Sequence, residues 1–135
     1  YCIETVGNQD LAKGVYKFDL SNSSLTNRRL FLDWSKEEAR PDGAILDAEG
    51  NLIVAEWRGS CIRKYNSYGK LMHKIELPAR NITKAVFGGH DLSTLYVTTS
   101  KLRLTDEELE RYPQSGGLFE IKDFGRGLPT YTFGN

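Results

Sequence analysis

The chain has 135 residues, 39% of them hydrophobic and 27% charged, with 18 basic and 18 acidic side chains and a formal net charge of zero. The apolar content suffices for a folded core and excludes a disordered chain, while the balanced charge gives no electrostatic reason to expect nucleic acid or an anionic membrane as partner. No apolar run approaches the roughly 20 residues of a membrane-spanning helix, and two cysteines, Cys2 and Cys61, are too few for a disulfide framework and fit a reducing, cytoplasmic compartment.

In chain order, short β-rich runs alternate with turns. The chain opens on Tyr1-Cys2-Ile3-Glu4-Thr5, without an initiator methionine and in what reads as the middle of a strand, which predicts a longer parent. Val15 to Phe18 and Leu30-Phe31-Leu32 follow, then Ala44-Ile45-Leu46. Leu52-Ile53-Val54 is apolar on both faces and predicts an interior strand packed on two sides. Ile62 to Tyr65 comes next. Leu71, Ile75 and Leu77 fall on alternate residues, with Met72, Lys74 and Glu76 pointing the other way, a half-buried strand interrupted by His73. Ala85 to Phe87, Leu95 to Thr99, Leu118 to Ile121 and Tyr131-Thr132-Phe133 complete the set. Glu49-Gly50-Asn51, Ser67-Tyr68-Gly69, Gly88-Gly89 and Ser115-Gly116-Gly117 punctuate it. One helix of about two turns is expected: Thr105 and Glu108 form a capping box, and Pro113 ends the segment.

These runs repeat. Tyr1 to Thr5, Leu52 to Glu56 and Leu95 to Thr99 align, and each is followed by a matching second and third strand. Ala44 to Leu46 and Ala85 to Phe87 each open a unit. A four-stranded meander recurring every 40 to 50 residues or so is the signature of propeller blades. The expected class is therefore all-β, with blade units at about 1–33, 42–77 and 83–135. The rival arrangement is an antiparallel sandwich. Two full blades and most of a third cannot close a ring, since propellers use about 4–8. The chain is thus expected to be the C-terminal part of one propeller domain, and to associate with the missing blades or with itself.

Particular residues carry a family resemblance. Arg40-Pro41-Asp42-Gly43, Leu46-Asp47-Ala48-Glu49-Gly50-Asn51-Leu52, Val54-Ala55 with Trp57 and Gly59, Ile75-Glu76-Leu77-Pro78, Phe87-Gly88-Gly89, Leu95-Tyr96-Val97-Thr98 and Gly116-Gly117-Leu118-Phe119 resemble the gluconolactonase, regucalcin and luciferin-regenerating-enzyme family. Phe133-Gly134-Asn135 is similar to its C-terminus. The resemblance implies a six-bladed β-propeller of roughly twice this length, of which residues 1–135 are the last two and a half to three blades. It also implies hydrolysis of sugar lactones at one divalent cation, Ca²⁺, Zn²⁺, Mg²⁺ or Mn²⁺, in the propeller channel. The family holds that cation through a glutamate near the N-terminus, an asparagine in mid-chain and the aspartate of Pro-Asp-Gly. Only the aspartate has a counterpart here, Asp42, so this segment alone is expected to be inactive. Glu4, where relatives often carry aspartate, is assigned no role. The alternatives are a calcium-binding or regulatory propeller without turnover, and a non-catalytic interaction fragment.

Asp42 can also be argued from its position. It precedes the innermost strand of its unit, where strand starts would ring one mouth of the channel. The equivalent position in the next unit is Thr83, so the repeat itself does not require a carboxylate there. Pro-Asp-Gly is also a common turn sequence. A carboxylate at a channel mouth suits a hard divalent cation, and Asp42 is expected both to hold the metal and to accept the attacking water's proton. His73 is expected to be structural and His90 solvated, and they lack the spacing of a zinc site. Cys2 and Cys61 read as buried small hydrophobes. Lys36-Glu37-Glu38 reads as a solvated loop and Trp57 as a packing residue. No Gly-x-Ser-x-Gly elbow is present.

Overall fold

The computed structural model describes residues 1–129. They form three antiparallel sheets and one short helix. The first sheet holds β1 (Cys2–Glu4), β2 (Gly14–Ser21) and β3 (Ser24–Asp33). The second holds β4 (Arg40–Leu46), β5 (Leu52–Trp57), β6 (Cys61–Tyr65) and β7 (Leu71–Glu76) in meander order. In the third, β8 (Asn81–Gly88) pairs with β9 (Thr94–Ser100), which pairs with β10 (Leu118–Ile121). The repeat is real at the level of pairing, because β1 pairs β2 as β5 pairs β6 and β9 pairs β10. The expected strand at Tyr131-Thr132-Phe133 lies outside the described residues. Among the described residues no helix is long and apolar enough to cross a membrane.

The core is two layers of side chains between the sheets, and β5 feeds both. Leu52 and Val54 pack with Val15, Leu32, Trp34 and Tyr65 toward the first sheet. Ile53 and Ala55 face the third, against Ile82, Ala85, Phe87, Leu95 and Val97. All four of these β5 residues are buried. Period-two alternation sends successive side chains to opposite faces, so an apolar strand serves two cores only when sheets cover both sides. This three-sheet arrangement displaces the sandwich alternative.

Expectation and structure part at several places, one of them Asp42, which lies inside β4 rather than before it. In β7, Leu71 and Met72 are exposed, while Ile75 and Leu77 pack, because β7 is the outer strand of its sheet with no neighbour beyond it among the described residues. Cys2 is exposed rather than buried: it shares a face with Tyr16 and Leu30, across the sheet from the face that meets β5, while Cys61 is buried as expected. Glu37 and Glu38 belong to a loop that is anchored as well as solvated. Glu37 pairs with Arg63, and Glu38 lies between Arg58 and Arg80.

The helix α1 (Asp106–Arg111) carries the full capping box. The Glu108 amide donates to Thr105 Oγ1 at 3.2 Å, and the Thr105 amide donates to Glu108 Oε2 at 3.1 Å. Glu108 also takes Arg58 at 2.7 Å, which fixes the helix against the end of β5.

Candidate functional site

Asp42 owes its setting to a backbone irregularity. Pro41 faces Glu56 and Ala44 faces Val54 across the β4–β5 ladder, so Asp42 and Gly43 together stand opposite Ala55. This is a β-bulge, which bends the strand and re-aims a side chain. The β8–β9 ladder has the same irregularity, between Ile82 and Lys84, and the extra residue there is Thr83. The repeat equivalence of Asp42 and Thr83 is therefore geometric. Their chemistry differs. The Thr83 hydroxyl is bound within its own sheet, to the Thr98 carbonyl at 2.9 Å. The Asp42 carboxylate is half-buried and takes no hydrogen bond or ion pair among the described residues. Burial pushes its pKa up, and the charge of Lys84 offsets this only in part.

Gly43 lets the two inner strands meet. A Cβ there would stand 2.6 Å from the Thr83 carbonyl oxygen and 2.9 Å from Lys84 Cα, both backbone atoms of β8. Lys84 in turn donates to the Ala44 carbonyl at 2.8 Å. The Asp-Gly pair thus has two separate jobs, the carboxylate facing a cleft and the glycine admitting β8.

The cleft beside Asp42 has a volume of about 250 Å³ and is lined by Thr5, Arg40, Asp42, Trp57, Leu102 and Arg103. Thr5 follows β1, Trp57 ends β5, and Leu102 and Arg103 follow β9, so corresponding corners of the three sheets converge on the start of β4. Trp57 belongs to neither core layer and is partly exposed, which corrects the packing assignment. The fully buried Asn81 joins two of the corners. It accepts from the Arg58 amide at 3.2 Å and donates to the Leu102 carbonyl at 3.0 Å.

Arg40, Leu102, Arg103 and Thr5 went unassigned in the sequence. Arg40 had a usable signal, since residues two apart in a strand share a face. Arg103 had none, because its place depends on a tight turn and a distant asparagine. His73 is exposed on β7 and stacks edge-on against Phe124 at 6.1 Å, and His90 is exposed in its turn. Neither approaches Asp42 in a shared cluster: among the described residues no group of three His, Cys, Asp or Glu side chains could hold a metal. Glu4 caps its own loop, accepting from the Gly7 amide at 3.1 Å.

A second polar cluster is structural. Glu56 is fully buried and accepts from Trp34 Nε1 at 3.2 Å. Arg63 Nε stands 2.9 Å from the same carboxylate without being aligned to donate. Cys61 Sγ donates to Glu56 at 3.3 Å, and burial, with the carboxylate's charge second, pushes the thiol up to about 12. Such a thiol is inert as a nucleophile.

Residues 1–101 match the family described as the SMP-30/Gluconolactonase/LRE-like region. Rabbit (Oryctolagus cuniculus) regucalcin is 38% identical over 120 residues, covering 87% of this chain and 40% of the relative. Chicken (Gallus gallus) regucalcin is 39% identical over the same shares. Among solved structures, a calcium-binding protein, regucalcin, from Agrobacterium tumefaciens superposes with a TM-score of 0.78 at 28% identity, covering 90% of this chain and 43% of that one. A luciferin-regenerating enzyme gives 0.71 at 31% identity, covering 84% and 38%. The chain thus spans about two fifths of the length of the relatives it matches. It is a member of the SMP-30/gluconolactonase/LRE-like family.

Proposed function

We propose that this chain contributes Asp42 to the metal site of a hydrolase acting on sugar lactones, on a six-bladed propeller of which residues 1–135 are the last two and a half to three blades. The observation that carries the reading is the Asp42 carboxylate: half-buried, set on a bulge at the meeting point of three sheets, and without a protein partner among the described residues. A carboxylate desolvated and left unpaired is costly unless something positive meets it. A hard divalent cation fits an oxygen donor of this kind. Asp42 supplies one ligand, and hard cations need several oxygens, so the remaining ligands come from outside these residues.

When bound, the metal supplies Lewis-acid polarisation of the lactone carbonyl and a more acidic water. Asp42 would hold the metal and would accept the proton of the attacking water. Trp57, partly exposed beside it, lines one wall of the cleft and would shield the bound sugar from solvent. The test is lactone hydrolysis by the full-length parent protein, with and without chelator. Chelation should abolish turnover, and Asp42→Asn should lower it by at least about 100-fold, as expected when a general base is lost. Full activity in either case refutes the assignment.

The second reading is a calcium-binding propeller without turnover, favoured by the description of the Agrobacterium neighbour as a calcium-binding protein. The same experiment separates the two, because that protein would bind Ca²⁺ through Asp42 and leave every lactone intact.

A further inference from the structure

The arginines of this chain divide into two groups. Arg29, Arg58, Arg63 and Arg80 are held in ion pairs, Arg28 and Arg111 lie over tyrosine rings, and Arg126 donates to the Asp91 carbonyl. Arg40 and Arg103 have no ion pair, side-chain hydrogen bond or aromatic partner among the described residues, and both line the Asp42 cleft. They come from different sheets, Arg40 from the first residue of β4 and Arg103 from the loop after β9.

The Arg103 loop is held in place. Arg103 has a φ of +60°, a left-handed conformation that side chains other than glycine rarely adopt. It sits in a turn closed by the Leu104 amide on the Lys101 carbonyl at 3.1 Å. The buried Asn81 grips the preceding carbonyl, that of Leu102, at 3.0 Å. Arg40 opens β4, and its cross-strand partner is Trp57, the aromatic wall of the cleft. Neither guanidinium is paired with Asp42, so two cations and one carboxylate face a single 250 Å³ space without neutralising one another.

We propose that Arg40 and Arg103 form an anion-recognising pair beside Asp42, and that the ligand of this cleft is a sugar acid or its lactone bearing a further anionic group, carboxylate or phosphate, away from the carbonyl that Asp42 serves. Planar guanidinium forks bind both groups with charge-assisted, bidentate hydrogen bonds. The arginines act in specificity. The sugar class rests on the proposed function, whereas the anion site rests on the arginines alone.

The test uses the full-length parent protein labelled with ¹⁵N-arginine and three probes: gluconate with one carboxylate, glucarate with two, and gluconate 6-phosphate with a carboxylate and a phosphate. A doubly anionic probe should shift the Nε–Hε signals of Arg40 and Arg103 and bind about tenfold or more tightly than gluconate, the effect of one charge-assisted contact. The better of the two dianions identifies the anionic group. Arg40→Gln and Arg103→Gln should each bring its affinity down to that of gluconate. Both substitutions are at exposed positions, and unchanged thermal unfolding confirms that the variants fold. Equal affinity for all three probes, no shift of either signal, shifts spread over the paired arginines, or indifference to both substitutions would overturn the proposal. Turnover plays no part in the readout, so a failure of the lactonase reading and a failure of the anion site are seen separately.

Discussion

A half-buried carboxylate without a protein partner costs the fold something, and among the described residues Asp42 is such a group. Its pKa is raised, first by burial. An acid whose folded pKa lies above its unfolded value favours folding fully below the unfolded value, and loses that contribution as pH rises through the folded one. At neutral pH the charged form is therefore a liability in the metal-free chain. Asp42→Asn should raise the melting temperature of the metal-free chain at pH 7, and the gain should vanish in acid. Calorimetry at the two pH values checks this, and a variant less stable at neutral pH would mean that an intramolecular partner satisfies the carboxylate. The proposed metal role would make this cost the usual trade of stability for function at a binding site. The matching positions of Asp42 and Thr83 in the repeat were legible in the sequence, and so was the difference in chemistry between them. The residues around Asp42 were not: Arg103 reaches the cleft only through a left-handed turn and a hydrogen bond from Asn81, twenty-two positions earlier.

Among the elements, those fixed by local chemistry could be read directly. The capping box of α1 is written in Thr105-Asp106-Glu107-Glu108 and forms as written. No residue of α1 is buried, so the helix depends on its cap and on the Glu108 contacts with Arg58 and Arg80. Thr105→Ala removes one of the two reciprocal hydrogen bonds and should cost about 1 kcal/mol. In so marginal a helix the loss should appear locally, as faster amide exchange at Glu108 and Leu109 with little change in β5. Unchanged exchange would mean that the two arginines hold the helix without its cap. β5 was equally legible, because only a strand covered on both sides tolerates Leu52-Ile53-Val54-Ala55. β7 was not, because alternation in Leu71 to Leu77 marks two faces without saying what lies beyond them. The bulges in β4 and β8 left no trace in periodicity either, since one extra residue shifts the phase in strands too short to reveal it.

At the scale of the molecule, a buried charge pair within the second sheet, together with the contacts it and its neighbour Ala48 make to the segment after β10, adds to the apolar layers between the sheets. Asp47, between β4 and β5, lies 2.7 Å from Lys64 of β6 and accepts from the Asn51 amide at 2.7 Å. Lys64 also donates to the Phe124 carbonyl at 3.3 Å, and the Ala48 amide donates to that of Arg126 at 2.7 Å. The pair therefore fastens the segment after β10 onto the second sheet. Burial alone would raise the Asp47 pKa, but the hydrogen bonds from Lys64 and Asn51 outweigh it and hold the carboxyl below its usual range. Its contribution to stability is present above the unfolded value of about 3.9 and is lost as pH falls through the lower folded value. Asp47→Asn strands a nearly buried ammonium and should cost about 3–5 kcal/mol at pH 7, read as a lower urea midpoint, with variant and parent converging in acid. Equal midpoints at pH 7 would show that Lys64 is satisfied by Phe124 alone. The two outer sheets raise a further consequence. On the third sheet Val86 is 43% and Leu118 67% exposed, on the face turned away from the second sheet, and on the first sheet Leu30 is 43% exposed beside Cys2 and Tyr16. Each is the kind of face that the second sheet keeps covered on both sides, and among the described residues β1 and β3 are paired on one edge only. Bare apolar faces and open strand edges invite association. The 135-residue chain should therefore self-associate at micromolar concentration, and Val86→Lys with Leu118→Lys should shift it toward monomer without loss of β-structure. Sedimentation velocity with circular dichroism decides, and a parent chain that stays monomeric at high concentration would show that these faces are stable in water.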